Sequence, residues 1–220
     1  MICLTGSDTS STAISSTLFY LSGDKYAYNR VAEEVRGAFP MGSEITLGPR
    51  LSSCKFLRAC IDESLRMSPP ASSSLWRRVV NDVKIDGISI PKGYDVGTCI
   101  YAIHHNTEYF PDPFTYRPAR WLSDSGRIED KITGPELAHS AFNPFSIGPR
   151  GCIGKTLAIT ELLLVMATIF SRFEFTADGA NVGGGAAGAE DGRHREWEYQ
   201  LYDHVTAAKN GPMIRFAARV

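Results

Sequence analysis

Apolar residues open this chain at helical spacing, switch to alternation near residue 75, and return to helical spacing after residue 155. Thr9 to Ser22 places Ile14, Leu18 and Leu21 at i, i+4 and i+7, one face of a helix. Asp24 to Phe39 forms a second helical stretch ended by Pro40, and Leu51 to Met67 a third, with Leu57, Ile61 and Leu65 in line and Pro69-Pro70 as its stop. Period two then predicts short strands at Leu75 to Val80, Val83 to Ile85, Ile88 to Ile90 and Asp95 to Ala102. Asp86-Gly87 is a two-residue hairpin turn between the middle pair. Tyr109 to Pro149 reads as a long coil rich in Pro, Asp, Gly and Ser that still carries aromatic residues. Leu157 to Phe170 is the last strong helix. Ala177 to Gly192 is a low-complexity, flexible loop, and Glu196 to Leu201 and Met213 to Phe216 are terminal strands. The pattern predicts a mainly α chain with small β-sheets (α+β), without the 20 to 50 residue period of a repeat fold.

Composition narrows the function classes. The 220 residues are 43% hydrophobic and 10% aromatic, enough apolar area to order a core. With 23 Lys plus Arg against 24 Asp plus Glu, no basic surplus faces a phosphate backbone, so no nucleic-acid partner is expected. Leu157 to Phe170 is interrupted by Thr160, Glu161 and Thr168 and is shorter than the roughly 20 residues of a bilayer span, so no membrane span is expected. No Lys or Arg precedes Lys25, so the charged start of a signal peptide is missing. Five cysteines, an odd number without a CxxC pair, argue against a disulfide framework and a structural zinc site.

One cysteine has special surroundings. In Phe145-Ser146-Ile147-Gly148-Pro149-Arg150-Gly151-Cys152-Ile153-Gly154, Cys152 sits among three glycines just before a helix. Glycines permit close backbone approach to a flat ligand, a helix N-terminus favours thiolate, and Arg150 adds a fork for carboxylates. Cys3, Cys54, Cys60 and Cys99 are expected to be small buried hydrophobes. The following Gly154-Lys155-Thr156 ends like a phosphate-binding loop, but position 149 is Pro149 where that motif needs glycine, and no strand leads in. Glu63 and Arg66 share a helix face at i, i+3, and a second guanidinium such as Arg120 can satisfy the carboxylate's remaining lone pairs. Asp8-Thr9 after Gly6 offers an acid and an alcohol beside a groove. Adjacent His104-His105 point in different directions, and His139, His194 and His204 lack a nearby partner, so all five read as surface or hydrogen-bonded residues.

Together these segments resemble the cytochrome P-450 family. Phe145, Gly148, Arg150, Cys152 and Gly154 match its haem loop FxxGxRxCxG, and Glu63-Ser64-Leu65-Arg66 matches the ExxR of its K helix. Tyr116-Arg117-Pro118-Ala119-Arg120-Trp121 resembles its PxRW segment, and Thr5-Gly6-Ser7-Asp8-Thr9 its oxygen-activation motif, with Thr5 replacing the usual small residue. The resemblance implies the C-terminal half of that fold, I helix through L helix and terminal strands. Residues 1–22 would end the oxygen-activation helix, with 49–68 the ExxR helix, 75–102 a β region and 109–149 the meander coil. Residues 145–154 would form the haem-ligand loop, 155–170 the last helix and 177–192 a flexible loop.

It further implies a thiolate-ligated haem with Cys152 as axial iron ligand, the thiolate favouring O–O cleavage. Phe145, Gly148, Gly154, Arg150 and Arg78 would be cofactor contacts, the two arginines for the propionates, with Arg77 able to replace Arg78. Glu63, Arg66 and Arg120 would form a buried triad, Asp8 and Thr9 would relay protons, and Pro69 to Ser74 would touch a small organic substrate. Electrons would come from NADPH through a separate reductase. The wording of HHNTEYFPDPFTYRPARW and AFNPFSIGPRGCIGKTLA is similar to fungal oxidases of secondary-metabolite or aromatic pathways, including benzoate para-hydroxylase-like members. Full-length relatives are typically anchored to the endoplasmic-reticulum membrane. The alternative expectation is a truncated, non-catalytic paralogue or incomplete gene product with weak or no haem retention, acting at most as a haem-binding or interaction module.

Overall fold

The computed structural model describes residues 2–122, 136–179, 182–190, 192–204 and 206–219. Four helices build the main core: α1 (Ile2–Gly23), α2 (Lys25–Ala38), α4 (Lys55–Met67) and α7 (Lys155–Arg172). Leu21, Val31, Val35, Leu57, Ile61, Leu162, Met166 and Phe170 meet at its centre, from the apolar faces that the helical spacing predicts. Asp24 caps α2 by accepting from Ala27 N at 2.9 Å. The helix expected from Leu51 is broken at Ser53-Cys54 into α3 (Pro49–Ser52) and α4. Glu34 of α2 causes the fresh start, because its carboxylate accepts from Phe56 N (2.9 Å) and Leu57 N (2.8 Å), two of the donors a helix N-terminus leaves unpaired.

The sheets are small, antiparallel and two-stranded: β1 (Arg77–Arg78) with β4 (Asp95–Val96), β2 (Val83–Ile85) with β3 (Ile88–Ile90), β5 (Phe173–Ala177) with β8 (Ile214–Ala218), and β6 (Leu201–Tyr202) with β7 (Ala208–Lys209). The Asp86-Gly87 turn stands as expected, both residues at positive φ.

Other expectations change. The strand expected over Asp95 to Ala102 stops at Val96, and Ile100–His104 is a helix (α5), because the alternating run ends where Ile100 and His104 drop one turn apart into the interior. The coil from Tyr109 to Pro149 holds a 3-10 turn at Pro118–Trp121, and residues 136–141 are helical (α6); its residues 123–135 lie outside the described part. The strand expected at Glu196 to Leu201 forms only from Leu201.

Within the segment expected to be a flexible loop, Gly183, Gly185 and Ala186 pair with the chain that follows. Gly185 N donates to Arg195 O, Ala186 N to Arg193 O and Gln200 N to Gly183 O. The glycines serve close approach, since a Cβ on Gly185 would lie 2.5 Å from the Arg193 and Arg195 carbonyl oxygens. This C-terminal region seats on α1 and α4 through a closed ring of hydrogen bonds: Tyr20 Oη donates to Ser68 Oγ (2.7 Å), Ser68 Oγ to Tyr199 O (3.1 Å), and Tyr199 N to Tyr20 Oη (3.1 Å). Ala207 N adds a bond to Pro70 O. No helix among the described residues is long and apolar enough to cross a membrane.

Candidate functional site: a buried carboxylate centre and a cysteine loop

The second half of α4 is buried on all sides, so a charge there must be fully paired. Glu63 meets that condition with five donors. Oε2 accepts from Arg66 Nε and Trp121 Nε1, and Oε1 from Arg66 Nη2 and Arg120 Nε, all at 3.0 Å, while Arg117 N reaches Oε1 at 2.9 Å. The 3-10 turn Pro118–Trp121 presents Arg120 and Trp121 together. Arg120 also donates to Pro111 O, and Arg66 Nη1 to His104 O at 2.8 Å, so both cations are satisfied without water. The expected triad of Glu63, Arg66 and Arg120 is therefore joined. The amide of Arg117 and the indole of Trp121, which the sequence reading missed, complete it.

Burial pushes the Glu63 carboxyl up, but the Arg66 and Arg120 guanidiniums and the hydrogen bonds outweigh it and bring it down to about 2. His104 moves the same way for another reason: burial, then the nearby Arg66 charge, hold the imidazole down to about 3, and neutral. Both shifts have one sign. Below about 6.5 an unfolded chain takes up a histidine proton that folded His104 refuses, and from about 4.5 toward 2 it protonates a carboxyl that folded Glu63 keeps ionised. The stability that these two groups contribute is thus complete above pH 7 and is lost progressively on acidification, with Glu63 alone accounting for roughly 3 kcal/mol. Urea midpoints measured from pH 7.5 down to 3.5 should fall continuously; a midpoint flat down to pH 4 would contradict the assignment.

The cysteine loop lies beyond His104. Asn143 N donates to His104 Nε2 at 3.1 Å, Ser146 N to Asn143 O at 2.9 Å, and Cys152 N to Phe145 O at 2.8 Å. Ser146 and Gly148 take positive φ values of 58° and 69°, and a 3-10 turn at Gly148–Arg150 delivers Cys152 to the start of α7. Gly151 packs so closely that a Cβ would lie 3.1 Å from Gly148 O, and one on Gly154 would touch Cys152 Sγ at 3.8 Å. Cys152 is a free, exposed thiol, whereas Cys54 and Cys60 are buried and Cys99 half-buried. Burial, with Glu34 nearby, pushes the Cys54 thiol up to about 11, which makes it inert.

Cys152 opens on a cavity of about 610 Å³, within the usual range of small-molecule sites. Gly6, Thr9 and Ala13 of α1 form one wall, Pro70, Ala71 and Leu75 another, and Phe145, Arg150, Gly154 and Leu157 line the cysteine side. Gly148, Asp8, Arg78 and its alternative Arg77 lie outside this lining. Arg78 forms a two-bond pair with Asp95 across the β1–β4 register at 2.8 and 2.9 Å, and Arg77 bonds to Trp76 O, so neither borders the cavity. Thr9 faces the cavity and donates to Gly6 O at 3.2 Å, while Asp8 is exposed outside the lining. The side chains of Thr5 and Cys3 lie outside the described part. Ser10 Oγ, unforeseen, donates to Glu161 Oε2 at 2.9 Å and ties α1 to α7 along this wall.

The family model described as Cytochrome P450 matches residues 2–182. Over 219 residues the chain is 53% identical to the "Cytochrome P450 monooxygenase AKT7" of Alternaria alternata, covering 98% of this chain and 42% of that protein. It is 48% identical to a "Cytochrome P450 monooxygenase" of Gibberella zeae (99% and 49% covered) and 46% identical to "Cytochrome P450 monooxygenase apf8" of Gibberella fujikuroi (97% and 57%). The chain spans about half the length of these curated relatives.

Proposed function

The chain belongs to the cytochrome P450 family, and on that premise we propose that it carries the haem-thiolate half of a monooxygenase site that inserts one atom of dioxygen into a small organic substrate. The observation that carries this reading is an exposed thiol, on a glycine-built loop at a helix start, opening on a largely apolar cavity. The donor set fits a flat prosthetic group. Gly154 leaves free the space beside Cys152 Sγ that a side chain would take, and Ile153 and Leu157 present uncovered apolar surface next to it.

When bound, haem supplies the iron at which dioxygen is activated. Cys152 would supply the thiolate that holds the iron, and the Phe145 carbonyl fixes its amide. Gly148 and Gly154 allow the loop to lie against the ring, and Arg150 takes a propionate carboxylate. Arg78 reaches a propionate only by exchanging its Asp95 partner for it. Thr9 holds a hydroxyl proton at the cavity wall, and Asp8, on the solvent side of the same turn, takes the outer end of the relay. On this reading α1 is the I helix, α4 the K helix and α7 the L helix. Electrons come from NADPH through a separate reductase, and the fungal sources of the similar monooxygenases support a secondary-metabolite substrate. Haemin titration of the purified chain should saturate at one equivalent and give, after reduction under carbon monoxide, the thiolate-type Soret band of this family. Failure to retain haem, or a band of the histidine- or thiol-ligated type, would overturn the proposal.

A further inference from the structure

We propose that His104 is the positioning residue that transmits the geometry of the Glu63–Arg66 centre to the Cys152 loop. This deepens the haem-thiolate reading and rests on it. His104 is 0% exposed, and its carbonyl and both ring nitrogens are used. Its carbonyl accepts from Arg66 Nη1 (2.8 Å), its Nδ1 lies 3.1 Å from Arg66 O, and its Nε2 lies 3.1 Å from Asn143 N. Both ring contacts are to backbone groups of fixed role, which settles the proton. Arg66 O can only accept, so Nδ1 carries the hydrogen; Asn143 N–H can only donate, so Nε2 offers its lone pair.

Arg66 and His104 therefore hold each other by two reciprocal bonds, and the far tip of the ring grips the chain nine residues before the cysteine. From there Asn143 O holds Ser146 N, and Phe145 O holds Cys152 N. Hydrogen bonds of 2.8–3.1 Å, joined through the backbone of Asn143 and the Phe145–Ser146 peptide, lead from the pinned carboxylate to the Cys152 amide. Phe142 at 5.4 Å and Phe110 at 6.1 Å between ring centroids flank the imidazole and keep it from turning away. An apolar side chain could fill this volume. Only a ring with a donor near its root and an acceptor at its tip serves both ends.

Two substitutions separate those ends. His104→Asn places a donor where Nδ1 was and leaves nothing at the tip, whereas His104→Gln restores an acceptor at the tip. Amide exchange in the full chain should rise roughly tenfold across residues 142–152 in H104N, stay near wild type there in H104Q, and be unchanged across 55–67 in both. In the haem-loaded protein the thiolate-type share of the carbon monoxide spectrum should fall in H104N and recover in H104Q. Equal loosening in both variants, or loosening of α4 together with the loop, would overturn the relay. A measurement that needs no variant guards against misfolding: ¹⁵N spectra of histidine-labelled wild type should show His104 as the neutral Nδ1–H tautomer, and an Nε2–H tautomer or an imidazolium at pH 7 would refute it. The exchange and ¹⁵N results stand with or without haem, so failure of the haem reading shows only in the carbon monoxide band and remains distinguishable.

Discussion

Glu63→Leu is expected to lower the stability of the chain by about 3–5 kcal/mol, because it strands two buried guanidiniums that have no route to water. A folded domain holds only about 5–15 kcal/mol in total, so the variant should be largely unfolded at 37 °C. Much of the loss is the penalty of uncompensated charge on Arg66 and Arg120, together with the broken bonds from the Trp121 indole and the Arg117 amide. Glu63→Gln should fall in between, since it keeps two acceptor lone pairs on one oxygen but removes the charge. Urea unfolding followed by near-ultraviolet circular dichroism, which reads the packed environment of Trp121, measures the difference. Arg78→Ala is the control: that pair is equally well formed but exposed, and its removal should leave the midpoint in place. Equal effects of the two changes would refute the distinction drawn between a buried and a solvated ion pair.

Cys152→Ser is expected to do the reverse, sparing the fold and removing the function. The thiol is exposed, and Cys152 is hydrogen-bonded through its backbone amide and carbonyl, which serine keeps, so the urea midpoint should match wild type. The thiolate-type band should disappear completely, because a serine hydroxyl does not ionise near neutrality and cannot push electron density to iron in the same way. Loss of the band with an unchanged fold isolates the ligand. A spectrum identical to wild type would mean that another group binds the iron.

The residues that carry chemistry were legible where their partners are local. Glu63 and Arg66 stand one turn apart, and the three glycines around Cys152 announce a close backbone approach within ten residues. Other parts depend on distant pairings. The adjacency of His104 and His105 correctly predicts divergent side chains, one buried against α4 and the other stacked on Tyr101 and Phe114. Nothing near His104, however, points to a partner 39 residues away at Asn143. Arg78 reads as a free cation until the β1–β4 register sets Asp95 opposite it. The Gly- and Ala-rich segment 177–192 reads as slack chain because composition cannot show that carbonyls of Arg193 and Arg195 press against Gly185. Val96 and Ile100 suggest a strand by residue type, and burial of Ile100 and His104 on one side favours the helix.

The ring of Tyr20, Ser68 and Tyr199 has a consequence in time. Its first and last members are 179 residues apart, and each of the three side or main chains completes its bonding only when the other two are present. At about 5–20 residues per second, the ribosome delivers Tyr199 roughly 10–40 s after Tyr20. From the synthesis of Met67 until then, Phe19, Tyr20 and Met67 lack the Tyr199 ring that packs with them in the finished structure. The seat of the C-terminal region on α1 and α4 is therefore the last of these contacts to form, after the four main helices are already synthesised.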